Sequence, residues 1–183
     1  MRQLLLLSIT ILSGQLCMAQ ESNSGRVFKK FKTDVSFGYT IPKGSQSDGG
    51  ALFAIEPKYA ITDQINVGLR LEVAVTVNID KIGNESNATG NGSYLLTGDY
   101  YFNTNKFRPF AGIGGGLYST ATVDENTILT AGGDIPTDSN FGFMARTGFE
   151  YGHLRLGVEY NFLQKNTGYL GLKLGVVIGG GRK

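Results

Sequence analysis

Ten charged side chains occupy the polar phase of alternating segments: Glu56, Lys58, Arg70, Glu72, Asp99, Arg146, Glu150, Arg155, Glu159 and Lys173. Acids and bases balance within this set. Charges withdrawn from water must be paired or hydrogen-bonded, because an unpaired one costs several kcal/mol. A balanced set on one face therefore predicts one of two chemistries. Either the charges neutralise each other as a salt-bridged plug, or they line a narrow polar path for ions or small solutes. We take the plug as the expectation and the path as its alternative.

Other reactive residues are sparse. The single histidine, His153, falls in a two-residue turn and reads as an interfacial turn residue rather than a general base. Gly112, Gly114, Gly115 and Gly116 have the look of a phosphate cradle, but no helix follows to present its N-terminus, so close packing is the better reading. Asp124, Glu125, Asp134 and Asp138 make the longest loop acidic, which would suit Ca²⁺, but a solvated loop is much the better reading. Sequons at Asn84, Asn87 and Asn91 matter only in a eukaryotic secretory route. No catalytic residue, cofactor site or metal site is expected, and the chain reads as non-enzymatic.

The elements that position the charges are strands. From Ile65 to Val77 the chain alternates without a break, with Ile65, Val67, Leu69, Leu71, Val73, Val75 and Val77 on one face and Asn66, Gly68, Arg70, Glu72, Ala74 and Thr76 on the other. Tilted by ~40°, such a run covers about 30 Å, the thickness of a bilayer's hydrocarbon core. Similar alternation predicts strands over about 33–41, 51–61, 65–77, 93–102, 107–118, 141–151, 154–162 and 169–178. Pro57 weakens the second by removing a ladder donor. Connections after odd-numbered strands are long or variable, including 78–92 and 119–140, and those after even-numbered strands are short. This sorting predicts an all-β, eight-stranded antiparallel up-and-down transmembrane barrel, with one rim of short turns and both termini and another of long loops.

Side-chain volume decides which face is inside. An eight-stranded barrel has an interior only just wide enough for side chains. The polar phase carries Gly38, Gly68, Gly142, Gly148, Gly157, Gly171 and Gly175, whereas the apolar phase carries most of the Phe, Tyr and Leu. The polar face is therefore predicted inside and the bulky face in lipid. Aromatics then form two girdles, with Tyr39, Tyr94, Phe141 and Phe162 near the loop rim and Tyr59, Phe102, Phe107 and Tyr151 near the turn rim. Tyr118 and Tyr169 fall on the wrong phase for this scheme.

Composition agrees. The 183 residues include 27 glycines, no tryptophan and a formal net charge of +2, which gives no sign of nucleic-acid binding. Residues 1–19 read as a cleaved secretory signal, with Arg2, an apolar run from Leu4 to Leu12, and an exit after Ala19. Leu16 before Cys17 argues against a lipoprotein signal, and the mature chain then has no cysteine. Residues 20–32 read as a polar, basic periplasmic lead-in and 33–183 as the barrel domain.

Pro57–Glu72, Arg108–Gly116 and the closing Tyr169–Lys183 resemble the small outer-membrane β-barrel family related to OmpA, OmpX and OmpW. The resemblance implies a Gram-negative outer membrane, insertion by the barrel assembly machinery, and long loops available to a surface ligand. Enzymes of this kind, by the same resemblance, place a histidine at the outer leaflet or loop rim, whereas His153 lies at the other rim. Family members commonly end in an aromatic residue; this chain ends in Lys183. The expected role is structural or interactive in the cell envelope. The alternatives are a narrow pore or OmpW-like transporter of small, apolar solutes, and a soluble secreted barrel with an apolar ligand inside.

Overall fold

A computed structural model describes residues 26–43, 49–79, 86–123, 137–163 and 168–182. Eight strands run in sequence order: β1 (Phe31–Pro42), β2 (Gly50–Ala60), β3 (Ile65–Ile79), β4 (Ser86–Tyr101), β5 (Phe107–Val123), β6 (Thr137–Tyr151), β7 (Leu154–Phe162) and β8 (Gly168–Gly179). Each pairs antiparallel with the next, and β8 closes on β1. Closure leaves no free edge, the condition for a sheet to stand in hydrocarbon.

Register fixes the shape. Stepping through paired residues from Lys32 to Lys58, Gly68, Thr97, Gly114, Met144, Asn161 and Tyr169 returns to β1 at Pro42, ten residues further along. That offset over eight strands corresponds to a strand tilt of about 40°. The β2–β3 ladder lapses between Ile55↔Leu71 and Lys58↔Gly68, around Pro57, and then resumes in register. One missing donor therefore interrupts the strand without ending it.

The orientation is decided along β3, where Leu69 and Leu71 are 51% and 37% exposed while Arg70 and Glu72 are 0% and 3% exposed. All eight girdle aromatics point outward. Phe37, Leu96, Ile113 and Leu174 continue the exposed apolar belt between the girdles. A soluble barrel would have to leave this surface in water, whereas a bilayer covers it; the physical reading is a membrane-spanning wall. Inside, glycines make the room. A Cβ on Gly116 would lie 2.0 Å from the Tyr94 carbonyl oxygen, and one on Gly112 2.2 Å from Asp99 Oδ1. The glycine run is thus packing, as its sequence context suggested.

Four strands overrun their expected ends. β3 to β6 are 15, 16, 17 and 15 residues long, against 9 to 12 for the others. Residues 86–92, 119–123 and 137–140, expected as loop, are strand. They are rich in Ser, Thr, Asn and Gly, so no apolar alternation announces them, yet backbone pairing needs none. The sheet they form stands beyond the barrel on the loop side. Residues 124–136, including Asp124, Glu125 and Asp134, lie outside the described set, as does Asn84.

At the turn rim the chain begins its wall earlier than the expected lead-in allows. β1 starts at Phe31, and Lys32 points inward. Upstream, Phe28 bridges to Arg182, and the backbone N–H groups of Val27 and Phe28 donate to the Asp63 carboxylate at 3.1 Å. Arg26 donates to the Ala60 carbonyl at 3.0 Å. The segment folds across the base of the barrel, and Phe28 is buried beneath the Arg108 guanidinium, 3.9 Å from its ring centre.

Candidate functional site: the closed polar interior

All ten sequence-predicted interior residues point into the barrel, where they separate into two clusters. The turn-side cluster centres on Asp99, which accepts from Lys58 at 2.9 Å, Arg146 Nε at 2.8 Å and Arg155 Nη2 at 2.9 Å. Arg146 also grips Glu56 with both terminal nitrogens, at 2.7 and 2.6 Å. This fork-on-fork geometry is available to arginine and not to lysine. Thr97 donates to the same Glu56 carboxylate. Arg155 reaches Asp34 at 3.0 Å and Glu150 at 3.5 Å.

Glu150 forms the base of the cluster. It accepts from Lys32 at 2.7 Å, from the Tyr101 hydroxyl at 2.8 Å and from Arg108 at 3.4 Å. Tyr101 accepts in turn from Lys32 at 2.9 Å and Arg155 at 2.5 Å. Flat guanidiniums stack on rings here: Arg155 lies 3.6 Å from the Phe110 centre and Arg108 4.1 Å from that of Tyr101. Arg108 Nη2 then donates to the Asp63 carbonyl at 2.8 Å, tying the cluster to the β2–β3 turn.

The loop-side cluster is smaller. Arg70 pairs with Glu72 and Glu159 from opposite sides of the lumen. Lys173 bridges the same two carboxylates at 3.3 and 3.1 Å. The Tyr169 hydroxyl donates to Glu72 at 2.7 Å, and the Tyr118 hydroxyl donates to Asn161 at 2.7 Å. Over these lies an apolar lid of Leu95, Tyr118, Met144 and Tyr169, with Leu163 packed against it. Tyr118 and Tyr169, which fit no lipid girdle, are thus inward residues with a polar end in the network and a ring in the lid.

Between the clusters is a cavity of about 20 Å³ lined by Asp34, Ser36, Arg146, Arg155, Glu159 and Lys173, room for about one water molecule. Asp34 Oδ1 and the Nε and Nη1 atoms of Arg70 are buried without a hydrogen-bond partner among the described residues.

Sequence reasoning missed Lys32, Asp34, Tyr101, Arg108 and Phe110. Each had a signal. Asp34 shares its phase with Ser36 and Gly38, Arg108 and Phe110 share theirs with the uninformative glycines of β5, and Tyr101 follows the phase of Thr97 and Asp99. The remaining candidates stay apart from this interior. His153 sits exposed in the β6–β7 turn, with Nδ1 2.7 Å from the Val177 carbonyl oxygen. Asn91 accepts from Thr120 at 2.8 Å on the sheet beyond the barrel. No group of acidic, histidine or cysteine side chains suited to a metal occurs among the described residues.

No protein-family model and no curated protein sequence matches the chain. Solved structures match it in fold. Neisserial surface protein A is 18% identical over 87% of this chain and 99% of its own, with a TM-score of 0.57. Ail, the attachment invasion locus protein of Yersinia pestis, solved with the heparin analogue sucrose octasulfate, is 12% identical over 81% of this chain and 99% of its own, with a TM-score of 0.51. The likeness is one of architecture, a small closed β-barrel.

Proposed function

We propose that this chain is a non-enzymatic integral barrel of the Gram-negative outer membrane, closed by its own salt bridges, with a structural or interactive role in the cell envelope. In this reading the segment 1–19 directs export and is removed, the assembly machinery inserts the barrel, and the lipid bilayer is its standing partner. The sheet beyond the barrel and the loops it carries are the surface offered to a ligand.

One observation carries the closed reading. Arg70, Tyr101, Asn161 and Leu95 are 0% exposed, at successive levels of the lumen, so a water-sized sphere does not reach the side chains that would line a channel. The charges are matched by direct contacts, as a plug requires, instead of forming the one-sign ring of an ion filter. Catalysis is disfavoured by the placement of His153, whose Nδ1 is engaged by a backbone carbonyl at the turn rim.

Single-channel recording tests the plug. The expected trace for the purified protein in a planar bilayer is flat. A stable conductance that disappears in Arg70→Ala or Glu72→Ala would establish the narrow-pore alternative instead. Gel mobility with and without boiling tests the membrane barrel separately: a folded barrel runs differently before heating, and release from membranes by high salt alone would point to a soluble one.

A further inference from the structure

The outer wall of the barrel is not uniformly convex. A groove of about 570 Å³ crosses it obliquely over β5 to β8 and β1, in the size range of sites that hold one small molecule. Its lower end lies at Phe107 and Phe149, whose rings are 5.2 Å apart, and its far end at Leu172 and Phe37. The floor is backbone, including Gly148 and Gly157, which face each other across β6 and β7. Thr147, the polar side chain on the lipid-facing phase here, donates its hydroxyl to the Phe110 carbonyl at 3.0 Å and so leaves the groove apolar.

The lower end opens onto a rim of opposite chemistry. Lys106, the residue before Phe107, is exposed and forms no ion pair among the described residues. Lys29, Lys30 and Arg182 lie elsewhere on that rim, beside β1, β2 and β8. The acid near them, Asp63, already accepts the N–H groups of Val27 and Phe28. A long apolar channel that ends beside a cation with no ion-pair partner among the described residues, at headgroup depth, has the polarity of a phospholipid, tail above and phosphate below.

We infer that this groove binds one anionic phospholipid from the leaflet at the turn rim, its acyl chain along Val158 and Leu174 and its phosphate at Lys106. The inference rests on the membrane-spanning reading above, and it assigns to this wall a lipid held more tightly than the surrounding bilayer. Val158 faces outward and half-exposed into the groove, so enlarging it fills the channel from the lipid side without entering the packed interior.

The test is native mass spectrometry of the full chain in mild detergent, offered equal phosphatidylglycerol and phosphatidylcholine. The expected spectrum shows one retained phosphatidylglycerol. Val158→Phe lowers retention about tenfold, while Leu96→Phe, on the outward face of β4, leaves it unchanged. Lys106→Gln reduces the preference for the anionic lipid about fivefold, the attraction of one cation at a membrane surface. Equal retention of both lipids by the unaltered protein, or equal effects of Val158→Phe and Leu96→Phe, would overturn the site. A two-chain species lost in Val158→Phe would assign the groove to a second copy of the protein and overturn it likewise. Heat-dependent gel mobility of every variant reports the barrel itself, so a failed lipid site and a failed membrane reading give different results.

Discussion

Strands β3 to β6 pass through two environments, and the same backbone ladder is held differently in each. Within the barrel, one face of each strand meets the belt and the other meets the ion-pair network, so nearly every side chain is specified. Beyond the barrel, the ladder continues with small polar residues and contacts such as Thr120 to Asn91 and the Ser119–Ser139 hydroxyl pair at 2.9 Å. The contrast teaches that strand pairing and side-chain specification are separable. A closed wall can propagate register past the bilayer after the side chains stop enforcing it.

Mutations can break this comparison or sharpen it. The largest effect is expected for Arg146→Ala, which strands Glu56 and Asp99 together; about 3–5 kcal/mol should be lost in urea unfolding from lipid vesicles. Arg146→Lys should recover little, because an ammonium cannot reproduce the two-pronged grip on Glu56. Next comes the lid, where Leu95→Ala leaves a hole beside Tyr118, Met144 and Tyr169 and should cost about 2–4 kcal/mol in the same assay.

Gly142→Ala should follow at about 1–3 kcal/mol, since the added Cβ would lie 2.7 Å from the Phe162 carbonyl oxygen and 2.8 Å from the Tyr118 ring, pressing on both the β6–β7 ladder and the lid. Beyond the barrel, Thr120→Ala removes one part-buried hydrogen bond and should cost about 0.5 kcal/mol, seen as a barely shifted unfolding midpoint. If Thr120→Ala proved as costly as Leu95→Ala, the outer sheet would have to be packed against something, and the contrast between the two regions would fail.

The same contrast explains what could be read in the chain. β7, expected over 154–162, is found at those bounds because both its faces obey the rule of the belt, with Leu154, Leu156 and Val158 outward and Arg155, Glu159 and Asn161 inward. Alternation starts β4 at 93 whereas the strand begins at Ser86, because Asn, Thr, Gly and Ser carry no detectable phase. The turn-side cluster was half legible. Glu150 and Arg155 stood out as charges in clear alternation, whereas Lys32 looked like the last residue of a basic lead-in. Only the extension of β1 back to Phe31, which turns Lys32 into the lumen, makes it the partner of Glu150.

Alternation together with volume settled from sequence that these strands close into a narrow barrel with charge inside, since glycines on the polar phase and rings on the apolar phase fit together in no other way. Which charge meets which was beyond it. Arg146 finds Glu56 from a position 90 residues away because a ten-residue offset around eight strands brings β2 and β6 to one level across the lumen. Partnership in a barrel is set by that accumulated register, and no single strand contains it.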